Sequence, residues 1–483
     1  MSHDDQNPPA GAGRHPGLES LFSYPLMSAI TERRTRRVAR GVSLDAGELS
    51  HQSSNAPAPI EPLEEAILVM SAAGITGITQ HDGPFRKKSG RDELGTPFLN
   101  IMARSASSAD NAQAVSFFLI NDDGIFLVKA PEGRAASEML KDLPPRWADW
   151  SESDWLAAAD QVKVRVGDRR LDFPRDWPYY LGWNAQHSNV PGSSVFFPVV
   201  DCTRQYINAL MILATDGMFF VDDWQRFRPR SLVEIAAWIG GTLGLSEPIP
   251  YHVIGGLDRI RKGILRKDSP GPLGFGNTLR TDYGCFFHMQ NLMLIGQGLG
   301  LGGWVHGSVF PPYIWQRDEA KGWYGLGFRM EEPKHLSRVP PVPASQANPV
   351  GIDGVLESLS PPYVSSMRDA VEQVLEKKYG DTSGGYGDLS VFGRSYQRRS
   401  DAEAFSRVAT RYRKEVVDYV TEVCDYIVDQ YGRFPAHVDA FYTPGVWLQF
   451  SHLELEYYQK YFDPGLYTRQ AQHDAIWHGA GGR

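Results

Sequence analysis

The sequence predicts an α+β protein, and three observations carry that prediction. Two apolar runs of strand length, residues 115–120 and 125–128, flank the turn formers Asn121, Asp122, Asp123 and Gly124 and read as a β-hairpin. Segments of helical period alternate with further strand-like runs, and no internal repeat is visible. Beyond the Pro-rich stretch 339–349 the pattern turns mainly helical.

Taken in order, residues 1–20 are rich in Pro, Gly, His and Asp, lack the apolar run of a secretory signal and read as a disordered tail. Residues 25–33 suit a short helix. Residues 62–73 suit a stronger one, with Glu64 and Glu65 favourably placed in its first turn. Gly74, Gly77 and a polar run to Gly95 then interrupt regular structure, and the hairpin follows. The Pro- and Trp-rich segment of about 130–194 looks like an insertion or lid. A second strand is expected at 195–200, helices at 203–214, 231–245 and 283–301, and a third strand at 323–329. Amphipathic helices at 363–378 and 402–431 follow, separated by a Gly/Ser-rich loop. The expected organisation is a tail (1–20), a body (21–349) with its insertion, and a mainly helical extension (350–483).

The bulk numbers narrow the function. Of 483 residues, 42% are hydrophobic and 22% charged, ordinary for a globular protein with a substantial core. A formal charge of -8 and a pI near 5.9 argue against a nucleic-acid or anionic-membrane partner. Three scattered cysteines, Cys202, Cys285 and Cys424, form neither a disulfide framework nor a zinc ribbon, which suits a reducing cytoplasm. The apolar stretch 285–305 carries His288, Gln290, Asn291, Gln297 and five glycines, so a buried helix is expected there rather than a membrane span.

Two short segments carry chemistry. Arg33, Arg34, Thr35 and Arg37 offer guanidinium groups and a hydroxyl, the combination that binds a phosphate through bidentate, charge-assisted hydrogen bonds. Ser108, Asn111 and Gln113 lie at i, i+3 and i+5 before the hairpin and supply the donors and acceptors that a heterocycle's polar edge needs. Read alone, the first is a solvated helix end and the second a polar turn.

Together they resemble the FMN site of the nitroreductase superfamily. In that family an early Arg-Arg-Ser-x-Arg motif grips the FMN phosphate, and Arg33, Arg34, Thr35 and Arg37 stand in the same spacing. A Ser-x-x-Asn-x-Gln motif ahead of a strand matches Ser108, Asn111 and Gln113. The helix from Met289 to Leu301 looks like the helix buried at the family's dimer interface, and His306 and Gly307 fall where members aim a backbone N–H at flavin N5. Lys334 and Arg338 follow the 325–328 strand, where the family places late basic phosphate contacts. The likeness covers about residues 21–338. Ser107 replaces the family's Pro, Ala114-Val115 its Pro-Trp, and Gly284 a flavin-contacting Gln of some members. The long spacing before Ser108 is also similar to the azoline-oxidising dehydrogenases, which use a Lys-Tyr pair as bases. Lys378-Tyr379 and Lys460-Tyr461 fall in the C-terminal extension and read as ordinary surface pairs.

What the resemblance implies is a mainly antiparallel sheet flanked by helices in a cytoplasmic homodimer, with FMN sites at the interface. A nicotinamide reductant, NADH or NADPH, and a small aromatic or conjugated substrate would follow. An oxidase of a peptide or secondary metabolite and a non-catalytic flavin store are the alternatives. His306 is the titratable group of interest, with His187 and Tyr206 as further proton donors. Trp147, Trp150, Trp155, Trp177, Tyr179, Tyr180 and Trp183 either line a planar-substrate pocket or bury the insertion. No metal is expected: His437 with Asp439, and His452 with Glu454 and Glu456, are ligand types at i, i+2 and read as a charged surface.

Overall fold

Strands built on the hairpin form the centre of the computed structural model, which describes residues 14–81, 96–222, 232–245, 253–273, 276–332, 347–409, 411–438 and 446–479. In chain order these are β1 (Val115–Asn121), β2 (Gly124–Val128), β3 (Lys163–Gly167), β4 (Ser194–Asp201), β5 (Gly302–His306), β6 (His437–Val438) and β7 (Trp447–Ser451). They pair in the order β3-β2-β1-β4-β7-β5, with β6 also on β4, and every pairing is antiparallel. Gly124 closes the hairpin turn at φ +141°, and a Cβ there would meet the Gly167 carbonyl oxygen at 2.4 Å. Only glycine fits so near the neighbouring strand.

The sheet is covered on both faces, and the period of 2 along β1 decides which residue goes where. Phe117 and Leu119 join a core under helices, while Phe118 and Ile120 join another under the loops on the far side. All four are fully buried, each stabilising the fold by roughly 1.5–3 kcal/mol relative to exposure.

The helices that matter for the site are α1 (Leu26–Glu32), α2 (Pro62–Ala73), α3 (Glu152–Val162), α4 (Thr203–Thr215), α5 (Gly276–Leu299), α6 (Met367–Tyr379), α7 (Lys414–Tyr431) and α8 (His473–Trp477). The expected 62–73 helix appears with its bounds unchanged. Glu61 and Glu64 form a reciprocal capping box, Pro62 sits in the first turn, and left-handed Gly74 ends the helix by donating its N–H to Met70. α4, α6 and α7 build a satellite core around Tyr206, Val371 and Tyr419. Among the described residues no helix is long and apolar enough to cross a membrane.

Several expectations need correction. The 323–329 run is broken by Gly325 and Gly327 into short strands, Trp323–Tyr324 and Arg329–Glu331, that pair outside the central sheet. The strand the sheet uses is β5, whose leading glycines hide its strand character. The 402–431 helix divides into Arg399–Val408 and α7, because the chain turns Tyr412 inward to accept from Lys378 Nζ at 2.9 Å. The C-terminal part is helical, yet its strand β7 also lies mid-sheet between β4 and β5. In the 130–194 segment α3 packs on α2 and β3 extends the sheet. Trp150 and Trp155 are buried there, while Trp177 and Trp183 stay exposed.

Candidate functional site

β5 and β7 place four side chains in a grid on one face of the sheet. Their register sets Trp447 opposite His306 and Gln449 opposite Trp304. Trp304 and His306 sit two residues apart and stack, ring centroids 3.5 Å apart and planes 14° from parallel. Gln449 fastens the 187–189 segment over the grid, donating to the His187 carbonyl and accepting from the Asn189 N–H, both at 2.8 Å. His187 then meets the Trp304 ring edge-on at 6.3 Å.

The protonation of His306 follows from its neighbours. Trp447 Nε1 can only donate, and it reaches His306 Nδ1 at 2.8 Å, so Nδ1 carries the lone pair. Ser308 Oγ must also donate to Nδ1, at 2.5 Å. The proton therefore sits on Nε2, which is buried with the Gln449 side chain as a weak, poorly aligned hydrogen-bond partner. Burial, then the Arg37 charge, holds this imidazole well below its ordinary range. His306 is thus a fixed, neutral N–H donor near pH 7 rather than a group that titrates there.

Arg37 completes the grid. Its guanidinium carbon lies 5.6 Å from the Trp304 ring centroid, and among the described residues it forms no ion pair. Burial and Arg37 also depress His187. Three ring nitrogens here, His187 Nδ1, Trp304 Nε1 and His306 Nε2, are buried with no well-aligned hydrogen-bond partner among the described residues. Such atoms are expensive to leave unpaired, at about 1–3 kcal/mol each. An oxygen-bearing ligand beside a cation would satisfy them.

The rest of the basic motif divides by role. Arg33 is half-buried and Thr35 exposed, while Arg34 donates to the Thr31 and Arg33 carbonyls at 2.8 and 2.9 Å and caps α1. Arg36 is buried, donating to Gln297 Oε1 at 3.1 Å and to the Leu466 carbonyl. Burial lowers its pKa to about 10. Arg36 therefore anchors the motif, a role that the inward-outward alternation of extended chain could have signalled. Lys334 and Arg338 lie outside the described residues. The Gly307 carbonyl accepts from Asn184 Nδ2 at 2.9 Å.

The second motif is placed elsewhere. β4 and β7 separate β1 from β5, so the Ser108–Gln113 turn stands roughly 14 Å away at three strand spacings. Asp110, Asn111 and Gln113 all have left-handed backbones, with φ of 52°, 47° and 51°. Asn111 Nδ2 donates to the Asn100 and Met102 carbonyls at 2.5 and 3.1 Å, Gln113 Nε2 to Asn111 Oδ1 at 2.7 Å, and the Gln113 N–H to Ser108 Oγ at 2.9 Å. Only Gln113 Oε1 is buried without a partner. The turn borders a cleft of mixed lining, in which Arg104, Lys129, Glu132, Arg204 and Gln205 stand beside Leu99 and Met102.

Behind that cleft lies Lys378, read above as a surface residue. It is fully buried, with Asn208 Oδ1 at 2.7 Å, the Thr96 carbonyl at 2.5 Å and Tyr412 OH at 2.9 Å accepting its three protons. Burial lowers it to about 7. Helical spacing on α6 puts Lys378 on the same face as Val371 and Val374, a signal that the Lys-Tyr reading overlooked. Lys460 and Tyr461 both donate to the Ser50 carbonyl near the surface. Tyr206 is buried and donates to the Leu273 carbonyl at 2.7 Å, a packing role.

Trp447 and Gln449 were not foreseen as site residues, because β7 reaches the site only through pairing across some 140 residues of chain. Compared with known protein families, with characterised proteins and with solved structures, the chain matches none.

Proposed function

We propose that this chain binds FMN and acts as an oxidoreductase of the nitroreductase type, passing hydride or electrons from a nicotinamide reductant to a small aromatic or conjugated substrate. The observation that carries the reading is the set of three buried ring nitrogens without aligned partners beside Arg37, which forms no ion pair among the described residues. These residues fit the group: fixed N–H donors and a cation suit the carbonyl-rich edge where a flavin gathers negative charge. FMN, when bound, supplies hydride or single-electron transfer. His306 offers Nε2–H and cannot flip, since Trp447 and Ser308 both hold Nδ1. Arg37 brings the positive charge that neutral His306 lacks, and Arg33 and Arg34 offer further guanidinium groups for a phosphate.

A homodimer belongs to this reading. Tyr283 and Phe287 on α5 and Leu26 and Met27 on α1 are 54%, 50%, 65% and 65% exposed, an apolar face on packed helices. A second copy docked there would bury it, and its own Ser108–Gln113 turn could then supply the polar edge that one chain keeps three strands away.

The test is the visible spectrum of protein purified without added cofactor, with any released chromophore identified. Bound FMN, rapid bleaching by NADH or NADPH and a dimer by light scattering are expected. Arg37→Ala should weaken FMN binding about tenfold or more. A chain that stays colourless and takes up no FMN rejects the reading; FMN that no reductant bleaches leaves only a flavin store.

A further inference from the structure

Just past the end of β7, three segments of the chain bring Glu64, His452 and His473 together. Glu64 lies in the first turn of α2, His452 directly after β7, and His473 at the start of α8. All three are buried, at 1%, 8% and 4% exposure. One ligand-capable atom from each lies within 4.8 Å of those of the other two. His452 and His473 meet edge-on with ring centroids 4.8 Å apart. His478 stands beside both, its ring 5.4 Å from His473 and 6.1 Å from His452.

Backbone groups hold the outward atoms of the cluster. The Leu299 carbonyl can only accept, so His473 Nδ1 carries a proton and Nε2 is the inward nitrogen. The Pro59 carbonyl likewise accepts from His452 Nε2 at 3.1 Å, which leaves Nδ1 as the lone-pair nitrogen. Glu64 spends Oε2 on the Glu61 N–H in the capping box. Its Oε1 faces His473 Nε2 at 3.0 Å, a pair between which a metal ion would take the place of the shared proton. Histidines that give one ring N–H to a backbone carbonyl and turn the other nitrogen to a common point have the second-shell pattern of metal ligands.

We propose that Glu64, His452 and His473 bind a divalent first-row transition metal, zinc or iron(II) in class, with His478 at the outer coordination position. Two imidazoles and one carboxylate suit those ions better than calcium or magnesium, which prefer all-oxygen sets. Ligand atoms around tetrahedral zinc lie about 3.3 Å apart, from bonds of roughly 2.0–2.1 Å. The cluster is therefore slightly open, and binding draws its rings inward. The ion would tie α2 to the C-terminal segment that delivers β7 to the central sheet. It is a structural clasp, separate from any flavin chemistry.

The test uses the full chain without affinity-tag histidines, stripped by a chelator and titrated with CoCl2 and then ZnCl2. A visible cobalt absorption band saturating at one equivalent per chain, bleached by one equivalent of zinc and accompanied by a rise in Tm, is expected. His452→Ala and Glu64→Gln should each lose the band. Should Glu64→Gln not fold, His452→Ala decides alone, with circular dichroism confirming its fold. No stoichiometric uptake of either metal by the wild-type chain overturns the inference, and so does an undiminished band in folded His452→Ala.

Discussion

Around Trp304 and His306 the buried ring nitrogens lack aligned partners, whereas in the Ser108–Gln113 turn nearly every buried polar atom is held by the protein. Both regions contain residue types that suit a polar ligand. At the first, Nδ1 of His306 is held twice and Nε2 only loosely, by the Gln449 side chain, so one end of the ring is architecture and the other is available. At the second, Asn111 cross-links the chain between Asn100 and Gln113. Motif likeness cannot separate these cases; an inventory of partners can.

The sharpest way to break the contrast is a pair of alanine substitutions. Asn111→Ala strands the Asn100 and Met102 carbonyls and Gln113 Nε2, and should destabilise the fold by about 2–4 kcal/mol. Arg37→Ala removes an exposed cation with no ion pair, and should change stability by no more than about 0.5 kcal/mol. Urea unfolding of both variants measures this. Equal losses would mean that the grid is structural too.

The pH dependence of stability sharpens the comparison next. Burial, followed by Arg37 for His306 and Arg104 for His288, keeps both imidazoles well below their ordinary range. In the unfolded chain each takes up a proton below about pH 6.5. The unfolded state then binds more protons, so stability should fall as pH drops through 6.5, by up to about 2.7 kcal/mol per unit for the two. His473 acts oppositely. Burial lowers it, but the hydrogen bond and charge of Glu64 outweigh that and leave it raised, so its contribution is present below 6.5 and lost as pH rises through its folded value. His306→Gln should lower the acid slope by up to about 1.4 kcal/mol per pH unit, since His187, His437 and His452 are depressed as well and keep theirs; denaturant titrations between pH 4 and 8 measure it, and an unchanged slope would show that His306 is protonated in the fold.

How much could be read from the sequence depended on how far apart the cooperating residues lie. The hairpin and α2 were legible, since turn formers, capping residues and the leading Pro62 act within a few positions. Glu64 was legible as a first-turn acid but not as the neighbour of His473, because that contact spans the whole body of the protein. The i, i+2 pairing of His452 with Glu454 had no meaning as a ligand set. Glu454 is buried and accepts from Gly41, Ser53 and Asn55 instead. Lys378 shows the same limit: a lysine on a helix reads as solvent-facing until Thr96, Asn208 and Tyr412 are brought around it.

Gln113 is where the contrast is finest. Its left-handed backbone, φ 51°, costs about 1–2 kcal/mol for a residue with a side chain, and its buried Oε1 has no partner. Against that stands one hydrogen bond to Asn111, worth about 1 kcal/mol. Gln113→Gly removes the strain, the orphan oxygen and that bond together, and glycine loses about 0.5–1 kcal/mol of chain entropy on folding. The stability change should therefore be small, between zero and about 1 kcal/mol in favour of the variant, read by the same urea titration. A loss above about 1 kcal/mol would make Gln113 a member of the self-satisfied turn. A neutral or stabilising result would mean that stability does not require a glutamine here, which leaves its cleft-side oxygen, like Nε2 of His306, available to a ligand.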